Sequence, residues 1–493
     1  MTSNGRFDFT TEVPAASSLG SVHFIAIGGA GMSGVARVML ARGLTVSGSD
    51  AKDSLVLTAL AAEGAEVHIG HDATYLKDAD TVVISSAIRE DNVELRDARS
   101  RGLRVLHRSQ ALASIMRGSR RVAVAGTNGK TTTTSMLTVA LQQCGVDPSF
   151  AVGGELAKHG TNAHLGTGDI FVAEADESDG SFVVYRPDVA IVTSVQPDHL
   201  DFYGTFEAVQ TAYAAFAATV QPDGLLVTCA DDRGSRALAE VAGAAGTRVI
   251  TYGVAADADV RLTALGAEGL HGHGDLLHAG AVLGRLEIGM PGRHNLLNAT
   301  ASFVAATEGL GQDPARVLEG LAGFTGTRRR FEPKGEVAGV RVVDDYAHNP
   351  GKVAAVVETA SSLASPGRLI VVFQPHLYTR TRDFAAELAM ALSPADIVIV
   401  MDVYAARENP MPGVSGALIT DRLVLGHGRG AEADNAVRFV PFWSDVAPLV
   451  ARIARAGDLV LTVGAGDVTM IGPEILRLIG QRADPTEVAQ GTK

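Results

Sequence analysis

The stretch from 122 to 137, VAVAGTNGKTTTTSML, places a lysine and a threonine directly after a glycine-rich turn. A β-branched run precedes the turn and a helical pattern follows it, which is the order of a phosphate-binding loop. The common G-x-x-x-x-G-K-[ST] spacing requires glycine where this chain has Val124, so the loop is a shortened one. In such a loop Lys130 binds the β- and γ-phosphates of a nucleotide and the Thr131 hydroxyl binds Mg²⁺. The amides that would hold the phosphates belong to Gly126, Thr127, Asn128, Gly129, Lys130, Thr131 and Thr132.

Two acidic stretches at the ends of later apolar runs offer ligands for a magnesium nucleotide. FVAEADESDGSF carries four carboxylates, at Glu174, Asp176, Glu177 and Asp179. Such a cluster is usually a solvated loop, but after a strand in the same domain as a phosphate loop Glu174 becomes a metal candidate. VTSVQPDHLDFYGT places His199 between Asp198 and Asp201, where open α/β sheets build their sites.

A second glycine loop lies near the start of the chain, in VHFIAIGGAGMSGVARVML. It places G-x-G-x-x-G at Gly29, Gly31 and Gly34, after a strand pattern and at a helix start. Its amides and the helix N-terminus favour a diphosphate. Asp50 ends the next strand, where an acidic residue usually meets a ribose hydroxyl. From the residues alone, a nicotinamide dinucleotide, UDP and a purely structural tight turn all fit this loop.

The elements that position these residues follow from the order of apolar runs. Short apolar runs alternate with helical patterns from Ser21, again from RRVAVAG, and a third time after TRRRFE, which predicts three parallel or mixed α/β sheets. We expect an α/β fold of three domains, 1–118, 119–328 and 329–493, the first and third Rossmann-like and the second a P-loop domain. The stretch 256–290 predicts antiparallel strands, and PGRHNLLNATASFVAATEGLG predicts one helix that ends at Gly309.

Composition narrows the classes of partner. The 493 residues include 42 basic and 55 acidic side chains, a net charge of −13, with no dense Lys/Arg run of the kind that binds nucleic acid. Cys144 and Cys229 form neither a C-x-x-C pair nor a disulfide framework, which fits a reducing compartment. The polar N-terminal stretch and the absence of an apolar run of about 18 residues predict a cytoplasmic protein without a membrane span.

Together these motifs resemble the Mur ligases, the ATP-dependent amide-forming enzymes of peptidoglycan precursor synthesis. The resemblance covers nearly the whole chain, through GTNGKTTT, AEADESDGSF, QPDHLDFYGT, PGRHNLLNA, TRRRFE, DDYAHNP and FQPHLYTRTRDF in the family's order. HFIAIGGAGMSG with FQPHLYTRTRD resembles the members that add L-alanine to UDP-N-acetylmuramate. The resemblance therefore implies UDP-N-acetylmuramate, L-alanine and ATP as substrates, with two Mg²⁺ ions, in a monomer or homodimer without nucleic-acid or membrane partners.

The resemblance also implies roles for individual residues. Beyond the phosphate loop, the residues near the nucleotide are Asn295, Asn298, Arg329 and Asp345. The metal ligands are Thr131, Glu174 and His199. The UDP-sugar site comprises Gly29, Ala30, Gly31, Met32, Ser33, Gly34, Asp50, His71, Ser85, Ser86, Gly153, Gly154 and Asn162. The amino acid and acyl group face Tyr346, His348, His376 and Arg380, and catalytic roles fall to Lys130, Glu174, His199, His348 and Arg380.

The chemistry explains why a ligase needs a phosphate loop. A carboxylate resists attack by an amine because its oxygen is a poor leaving group, whereas an acyl phosphate made from ATP is reactive. Phosphoryl transfer needs positioning and charge neutralisation, and no nucleophilic serine or cysteine. A neutral amine must then attack, and His348 is the candidate that deprotonates or only orients it.

Several alternatives remain at this stage. Relatives that add later residues carry a carbamylated lysine fourteen positions after the histidine of HLD, where this chain has Tyr213, which favours the alanine-adding type. A recycling ligase that joins a preformed tripeptide to UDP-N-acetylmuramate shares most motifs. A dinucleotide-binding oxidoreductase and a phosphate-loop binding module without ligase activity are rivals of other classes.

Overall fold

The computed structural model describes residues 6–156, 160–406, 408–424 and 436–483. By its internal contacts the chain forms two compact units. The first unit comprises Met1–Ala267, His271–Gly289 and Arg293–Thr325, and the second comprises Glu268–Leu270, Met290–Gly292 and Gly326–Lys493. Two α/β sheets lie in the first unit and one in the second. The expected three-sheet α/β fold is therefore present, while the boundaries at 118/119 and 328/329 stay predictions.

The first sheet is built from the alternation that the sequence predicts. Its elements are β1 (Val22–Ile25), α1 (Ala30–Ala41), β2 (Val46–Asp50), α2 (Leu55–Ala62), β3 (Glu66–Ile69), β4 (Thr81–Ile84), α3 (Val93–Ser100), β5 (Arg104–His107) and α4 (Arg108–Met116). All five strands are parallel, in the order β3-β2-β1-β4-β5. This doubly wound order brings the carboxyl ends of β1, β2 and β3 side by side at one edge.

The second sheet carries the phosphate loop. Its elements are β6 (Arg120–Ala125), α5 (Lys130–Gln143), β7 (Ser149–Leu156), β8 (Thr161–His164), β9 (Ile170–Glu174), β10 (Val189–Val192), α6 (Leu200–Tyr203), α7 (Phe206–Ala217), β11 (Leu225–Cys229), α8 (Arg233–Ala244), β12 (Arg248–Gly253), β13 (Val260–Glu268), β14 (His271–His278), β15 (Ala281–Ile288), α9 (Arg293–Val304) and α10 (Pro314–Ala322). The strand order is β15-β14-β13-β12-β11-β10-β6-β9-β7-β8. Parallel strands form its centre, and antiparallel pairs lie at the two ends, β7 with β8 and β14 with β15.

Two predictions for this region are confirmed. The stretch 256–290 forms β13 to β15, with an antiparallel pair, and these strands extend the central sheet. The predicted helix runs through α9 and a π-helical turn, Ala305–Gly309, and so ends at Gly309. The strand β7 includes Gly153 and Gly154, in a stretch that the sequence resemblance treats as a loop.

The third sheet follows TRRRFE. Its elements are β16 (Glu332–Val337), β17 (Val340–Asp345), α11 (Pro350–Ala364), β18 (Leu369–Phe373), α12 (Tyr378–Leu392), β19 (Ile397–Val400), α13 (Ala417–Thr420), β20 (Val437–Phe439), α14 (Trp443–Ile453), β21 (Leu459–Val463) and α15 (Ile471–Ala483). The strand order is β16-β17-β21-β18-β19-β20, parallel except for the β16–β17 pair. Trp443, the one tryptophan of the chain, begins α14 with 54% of its surface exposed.

Buried side chains hold each unit together. In the first unit Phe182 stacks on Phe216 with ring centroids 4.9 Å apart, and the fully buried Tyr213 meets Phe182 edge-on at 5.4 Å. In the second unit Arg368 and Asp458 form a buried bidentate ion pair, with Nε 3.0 Å from Oδ1 and Nη2 2.6 Å from Oδ2. Among the described residues no helix has both the length and the apolar character needed to cross a membrane.

Candidate functional site

The shortened phosphate loop is explained by the backbone of its two glycines. Val124 belongs to β6, which ends at Ala125, and α5 begins at Lys130. Gly126 and Gly129 have φ of 136° and 85°, a region that side chains disfavour. A Cβ on Gly126 would also lie 2.0 Å from Thr193 Oγ1, and one on Gly129 would lie 2.5 Å from Asn298 Oδ1. Only glycine fits either position.

Lys130 is held across the mouth of this loop. Its Nζ donates to the Gly126 carbonyl and to Glu177 Oε1, both at 2.7 Å. The two side chains are 14% and 3% exposed. Burial alone would lower the pKa of Lys130, but the carboxylate of Glu177 and the nearby Asp176 outweigh it, so the pKa is raised. The ammonium therefore keeps its charge and has a fixed direction.

His199 lies near the same carboxylate oxygen. Its Nε2 is 3.9 Å from Glu177 Oε1, and its backbone has a φ of 52° at the start of α6. The Asp198 carboxylate accepts from the His199 backbone N–H at 2.9 Å, and the Tyr203 hydroxyl donates to the carbonyl of Glu177. Glu177 thus links Lys130 with His199.

The predicted metal residues Thr131 and Glu174 lie together. The Thr131 hydroxyl donates to Glu174 Oε1 at 3.2 Å, and the Gly153 amide donates to Glu174 Oε2 at 2.8 Å. No group of three or more His, Cys, Asp or Glu within the described part of the chain is arranged to hold a metal. A hydroxyl and a carboxylate at the mouth of a phosphate loop nonetheless match Mg²⁺, whose other ligands are usually phosphates and water.

The first glycine loop forms the start of α1. Gly29 precedes the helix, and the Gly28 amide donates to Asp50 Oδ2 at 3.0 Å, which ties the loop to the end of β2. A Cβ on Gly31 would lie 2.2 Å from Arg108 Nη1, so this guanidinium covers the loop. Arg108 also donates to Asp176 Oδ2 at 3.2 Å and thereby connects the loop to the acidic stretch after β9. The remaining predicted loop residues, Ala30, Met32, Ser33 and Gly34, form the first turns of α1.

Most of the other residues predicted for the UDP-sugar site contact protein groups. The Ser86 hydroxyl donates to Asp179 Oδ2 at 2.5 Å and lies 3.1 Å from His107 Nε2. The Asn162 amide donates to the Ala30 carbonyl at 2.7 Å, which fixes the β7–β8 pair against α1. Gly153 and Gly154 lie against Glu174 and Thr131, and Ser85 is partly buried in the turn after β4. His71 follows β3 with its ring 26% exposed.

The two asparagines of α9 that the sequence analysis predicts near the nucleotide are buried in the first unit. Asn295 and Asn298 are 3% and 7% exposed, and Asn298 lies beside Gly129. Their neighbour His294 is partly exposed, and loss of solvent around its ring lowers its pKa to about 4. The N-x-x-N spacing therefore brings a polar helix face to the phosphate loop.

In the second unit, Arg329 and Asp345 are held by the surrounding backbone. Arg329 Nη2 donates to the carbonyls of Gly464 and Gly466 at 2.7 and 3.0 Å, and its guanidinium lies 4.8 Å from the Tyr346 ring centroid. Asp345 accepts from the amides of Phe331 and Ala347 at 2.8 and 2.7 Å, and burial raises its pKa.

The four residues predicted to face the amino acid also lie near one another in the second unit. The ring of His348 meets those of Tyr346 and His376 edge-on at 5.3 and 5.5 Å. His348 Nδ1 lies 2.9 Å from the Tyr346 carbonyl, so this nitrogen carries the hydrogen and Nε2 carries a lone pair. Burial lowers the pKa of His348 well below its ordinary value, and the charges of Lys352 and Arg380 lower it further. A neutral imidazole of fixed tautomer is a suitable proton acceptor.

Four side chains that the sequence analysis did not single out are prominent in the site. They are Glu94, Arg108, Glu177 and Thr193. Glu177 was visible as one of four acids, but the spacing of the four does not show which faces the lysine. Arg108 and Thr193 carry no motif of their own, since their roles depend on neighbouring strands meeting in space.

Comparisons with known proteins agree with this geometry. Three family models match in succession: the Mur ligase family catalytic domain over residues 21–120, the middle domain over 124–306 and the glutamate ligase domain over 329–466. A UDP-N-acetylmuramate--L-alanine ligase of Kineococcus radiotolerans is 54% identical over 475 residues, covering 95% of this chain and 98% of the relative.

Solved structures show the same likeness. The UDP-N-acetylmuramate-alanine ligase MurC of Thermotoga maritima aligns with a TM-score of 0.78 at 28% identity, over 94% of this chain and 100% of the other. A murein peptide ligase of Psychrobacter arcticus shares the fold, with a TM-score of 0.66 at 24% identity over 93% and 98% of the two chains.

Proposed function

The chain belongs to the Mur ligase family, and on that premise we propose that it joins L-alanine to the lactyl carboxylate of UDP-N-acetylmuramate with conversion of ATP to ADP and phosphate. The observation that carries the proposal is the set of groups at one edge of the central sheet: Lys130 bound to Glu177, the Thr131–Glu174 pair, and His199. These groups can position a nucleotide and neutralise its phosphate charge, which is what phosphoryl transfer requires. The near full-length identity with an alanine ligase supports the choice of amino acid.

The first step makes the carboxylate reactive. A carboxylate oxygen of the sugar's lactyl group attacks the γ-phosphorus of ATP, the new O–P bond forms, and the bond from that phosphorus to the β–γ bridging oxygen breaks. Lys130 and the amides of the loop neutralise the phosphate charge, since such transition states are stabilised mainly by positioning and electrostatics. ADP and an acyl phosphate result.

The second step forms the amide. The neutral α-amine of L-alanine attacks the acyl carbon, the C–N bond forms, and the carbon–oxygen bond to phosphate breaks. The amine loses one proton, for which His348 Nε2 is the proposed acceptor because Nδ1 donates to the Tyr346 carbonyl. Tyr346, His376 and Arg380 are proposed to orient the amino acid. No protein nucleophile takes part.

Thr131, Glu174 and His199 are the proposed protein ligands for Mg²⁺. The oxygens of Thr131 and Glu174 suit this hard cation, and Lys130 balances the charge of the neighbouring Glu177. When bound, Mg²⁺ supplies positive charge at the phosphate oxygens. The first glycine loop with Asp50 and His71 is proposed to bind UDP, Asn295 and Asn298 to lie near adenine, and the reaction to take place in the cytoplasm.

A lysine substitution tests the proposal directly. Lys130→Ala should lower L-alanine-dependent phosphate release from ATP and UDP-N-acetylmuramate by at least about 1,000-fold, because it removes the charge that the transferring phosphoryl group needs. Lys77→Ala is the matched control, since it removes the same charge from an exposed ion pair with Glu66. Circular dichroism would confirm that both variants fold. Wild-type turnover in the Lys130 variant would contradict the assignment.

The recycling ligase is the second candidate, since the structure with a TM-score of 0.66 is a murein peptide ligase. The two activities differ in the acceptor that drives phosphate release. We expect L-alanine to support turnover, and a preformed L-alanyl-γ-D-glutamyl tripeptide to support less than about one hundredth of it, because an added peptide must find its own pocket. A reversed preference would establish the recycling activity instead.

A further inference from the structure

The partner of the phosphate-loop lysine is a buried carboxylate with unused bonding capacity. Glu177 lies in the loop after β9, and its Oε1 accepts from Lys130 Nζ at 2.7 Å. Its Oε2 is also buried and has no hydrogen-bond partner among the described residues. A buried carboxylate needs compensation for the water that it has lost. Lys130 is the cation that supplies this compensation, so the two charges depend on each other.

Side chains of β5 and α4 hold the loop that carries Glu177 on both sides. Before Glu177, Asp176 accepts from Arg108 Nη2 at 3.2 Å. After Glu177, Asp179 Oδ2 lies 3.1 Å from Nε2 of the buried His107. Both contacts cross from the first sheet to the loop of the central sheet. They limit the movement of Glu177 away from the phosphate loop.

The backbone of Glu177 is fixed as well. Its carbonyl accepts from the Tyr203 hydroxyl and from the Gly180 amide, the latter at 3.1 Å. A carboxylate on a backbone held in this way does not follow the flexible lysine when the lysine turns. We therefore expect Glu177 to stay in place when a nucleotide enters the loop.

This arrangement leaves one hydrogen of Lys130 for a ligand. The ammonium has three hydrogens, and the Gly126 carbonyl and Glu177 Oε1 take two of them, each at 2.7 Å. Because the bonds of an ammonium nitrogen are tetrahedral, two fixed partners determine the direction of the third hydrogen. A phosphate oxygen that binds this hydrogen therefore meets an ammonium that is already oriented.

The same arrangement places a negative charge near the phosphates. An oxygen that is bound to the same ammonium nitrogen lies no more than about 5.6 Å from Glu177 Oε1, since each hydrogen bond is at most about 2.9 Å long. At such a distance two negative charges repel each other appreciably. Glu177 thus opposes the binding of a nucleotide while it orients the lysine. An enzyme gains rate from interactions that act in the transition state rather than in the bound ground state.

We propose that Glu177 is a positioning residue for Lys130 with two separable effects. It directs the ammonium toward the γ-phosphoryl group, which raises the rate of transfer. Its negative charge also weakens the binding of ATP before transfer. The inference rests on the proposed function for the identity of the nucleotide and of the reaction.

Glu177→Gln tests both effects in the full chain. Calorimetric titration with MgATP, without the UDP-sugar, should show at least about 5-fold tighter binding than in the wild type, because a repelling charge is gone. The value of kcat should fall at least about 10-fold, because a neutral amide holds the ammonium more weakly than a carboxylate does. An affinity for ATP that is unchanged or weaker would overturn the inference, and so would an unchanged kcat.

AMP shows whether the gain in affinity comes from the phosphates. It lacks the β- and γ-phosphates that Lys130 binds, so Glu177→Gln should bind AMP as the wild type does. An equal gain for AMP and ATP would mean that the whole site has rearranged, and would overturn the inference.

Glu177→Asp separates charge from direction. It keeps the negative charge but shortens the side chain by one methylene, so it no longer holds the ammonium at the same place. We expect kcat to fall while the affinity for MgATP stays within about 3-fold of the wild type. If Glu177→Gln does not fold, this variant decides the question. An unchanged kcat, or a parallel loss of ATP affinity, would then overturn the positioning role.

The matched control is Glu66→Gln, which neutralises the carboxylate of an exposed lysine–glutamate pair with Lys77. It should keep the wild-type kcat and ATP affinity. The Mg²⁺ concentration that gives half-maximal turnover provides a second check. It should be the same in Glu177→Gln and the wild type. A clearly higher requirement in the variant would make Glu177 a metal ligand and overturn the inference.

The proposed function can fail independently. Phosphate release with UDP-N-acetylmuramate, L-alanine and ATP is measured on the same wild-type preparation. Turnover in the wild type with no gain in ATP affinity in Glu177→Gln would overturn the inference on Glu177 alone. Tighter binding of ATP by that variant without L-alanine-dependent turnover in the wild type would overturn the ligase assignment and leave the effect of the charge standing.

Discussion

At the scale of single residues, the site contains groups with a fixed protonation state and a fixed direction. Lys130 is charged because Glu177 compensates for its burial, and His348 is neutral because burial and nearby cations oppose its protonation. Lys130 is thus held in its charged form and His348 in its neutral form. A phosphate needs a permanent cation beside it, and an incoming amine needs a base with a free lone pair.

The state of His348 predicts the acid limb of the pH profile. In the proposed mechanism the neutral imidazole of His348 accepts the proton of the amine, so kcat/KM for L-alanine should fall as pH drops through the His348 pKa. Because that pKa is lowered, the fall should begin below the ordinary histidine value of about 6.5. Lys352→Gln removes a positive charge, raises the pKa and should move the acid limb upward by roughly half a unit.

The control for this profile is Lys334→Gln, which removes a lysine of the same unit that pairs with Glu332. It should leave the acid limb in place. At alkaline pH the profile of kcat/KM depends on the amino group of L-alanine. That part of the profile should be the same in the wild type, Lys352→Gln and Lys334→Gln. An acid limb that does not move in Lys352→Gln would show that His348 only orients the substrate.

At the scale of elements, the phosphate loop depends on glycine for two separable reasons, conformation and space. Gly126→Ala places a Cβ 2.0 Å from Thr193 Oγ1 at a φ of 136°, so the loop must shift. Gly118→Ala is the matched control, since Gly118 has a φ of 86° with open space around it. We expect the control to lose about 1 kcal/mol of stability and keep ATP binding, and Gly126→Ala to lose ATP binding as measured by calorimetry. Equal loss of ATP affinity in both variants would contradict the steric argument.

Much of the element order was predictable, because long apolar strands followed by glycine turns carry their own signals. The strands β6, β9 and β10 and the end of the predicted helix at Gly309 were predicted correctly. β5, with the sequence RVLH, and β20, with the sequence VRF, mix charged and apolar residues and contain no apolar run that would identify them as strands. The family resemblance implied a loop at Gly153 and Gly154, whereas pairing with β8 and β9 makes this stretch part of the strand β7.

The candidate site divides in the same way. Lys130, Thr131 and Glu174 follow from local spacing, and the structure brings Thr131 and Glu174 together. The sequence did not predict the contacts of Glu177 and Arg108. Glu177 reaches Lys130 because of the turn after β9, and Arg108 reaches Asp176 from a helix that is distant in sequence. A local sequence pattern is therefore enough to identify the phosphate loop, but the side chains that contact it are seen only in the folded structure.

At the scale of the whole molecule, each unit has its own buried cross-links. In the second unit Asp458 joins the starts of β18 and β21 through Arg368. Asp458→Asn leaves that guanidinium buried and uncompensated, which should lower the free energy of unfolding of this unit by about 3 kcal/mol. Urea denaturation followed by the emission of Trp443 would measure the change.

The control here is Glu474→Gln, which breaks an exposed ion pair with Arg477 in the same unit. Exposed pairs contribute little, so its unfolding midpoint should match that of the wild type. Equal shifts in the two variants would mean that the Arg368–Asp458 pair adds nothing beyond surface charge.

The position of the single tryptophan has a further consequence. Trp443 lies in the second unit and the phosphate loop lies in the first. A fluorescent N-methylanthraniloyl derivative of ATP absorbs where tryptophan emits, so the native chain contains one energy donor for a ligand that carries the acceptor. The efficiency of energy transfer from Trp443 to the bound nucleotide, measured before and after addition of each substrate, would therefore report changes in the distance between them without any engineered label.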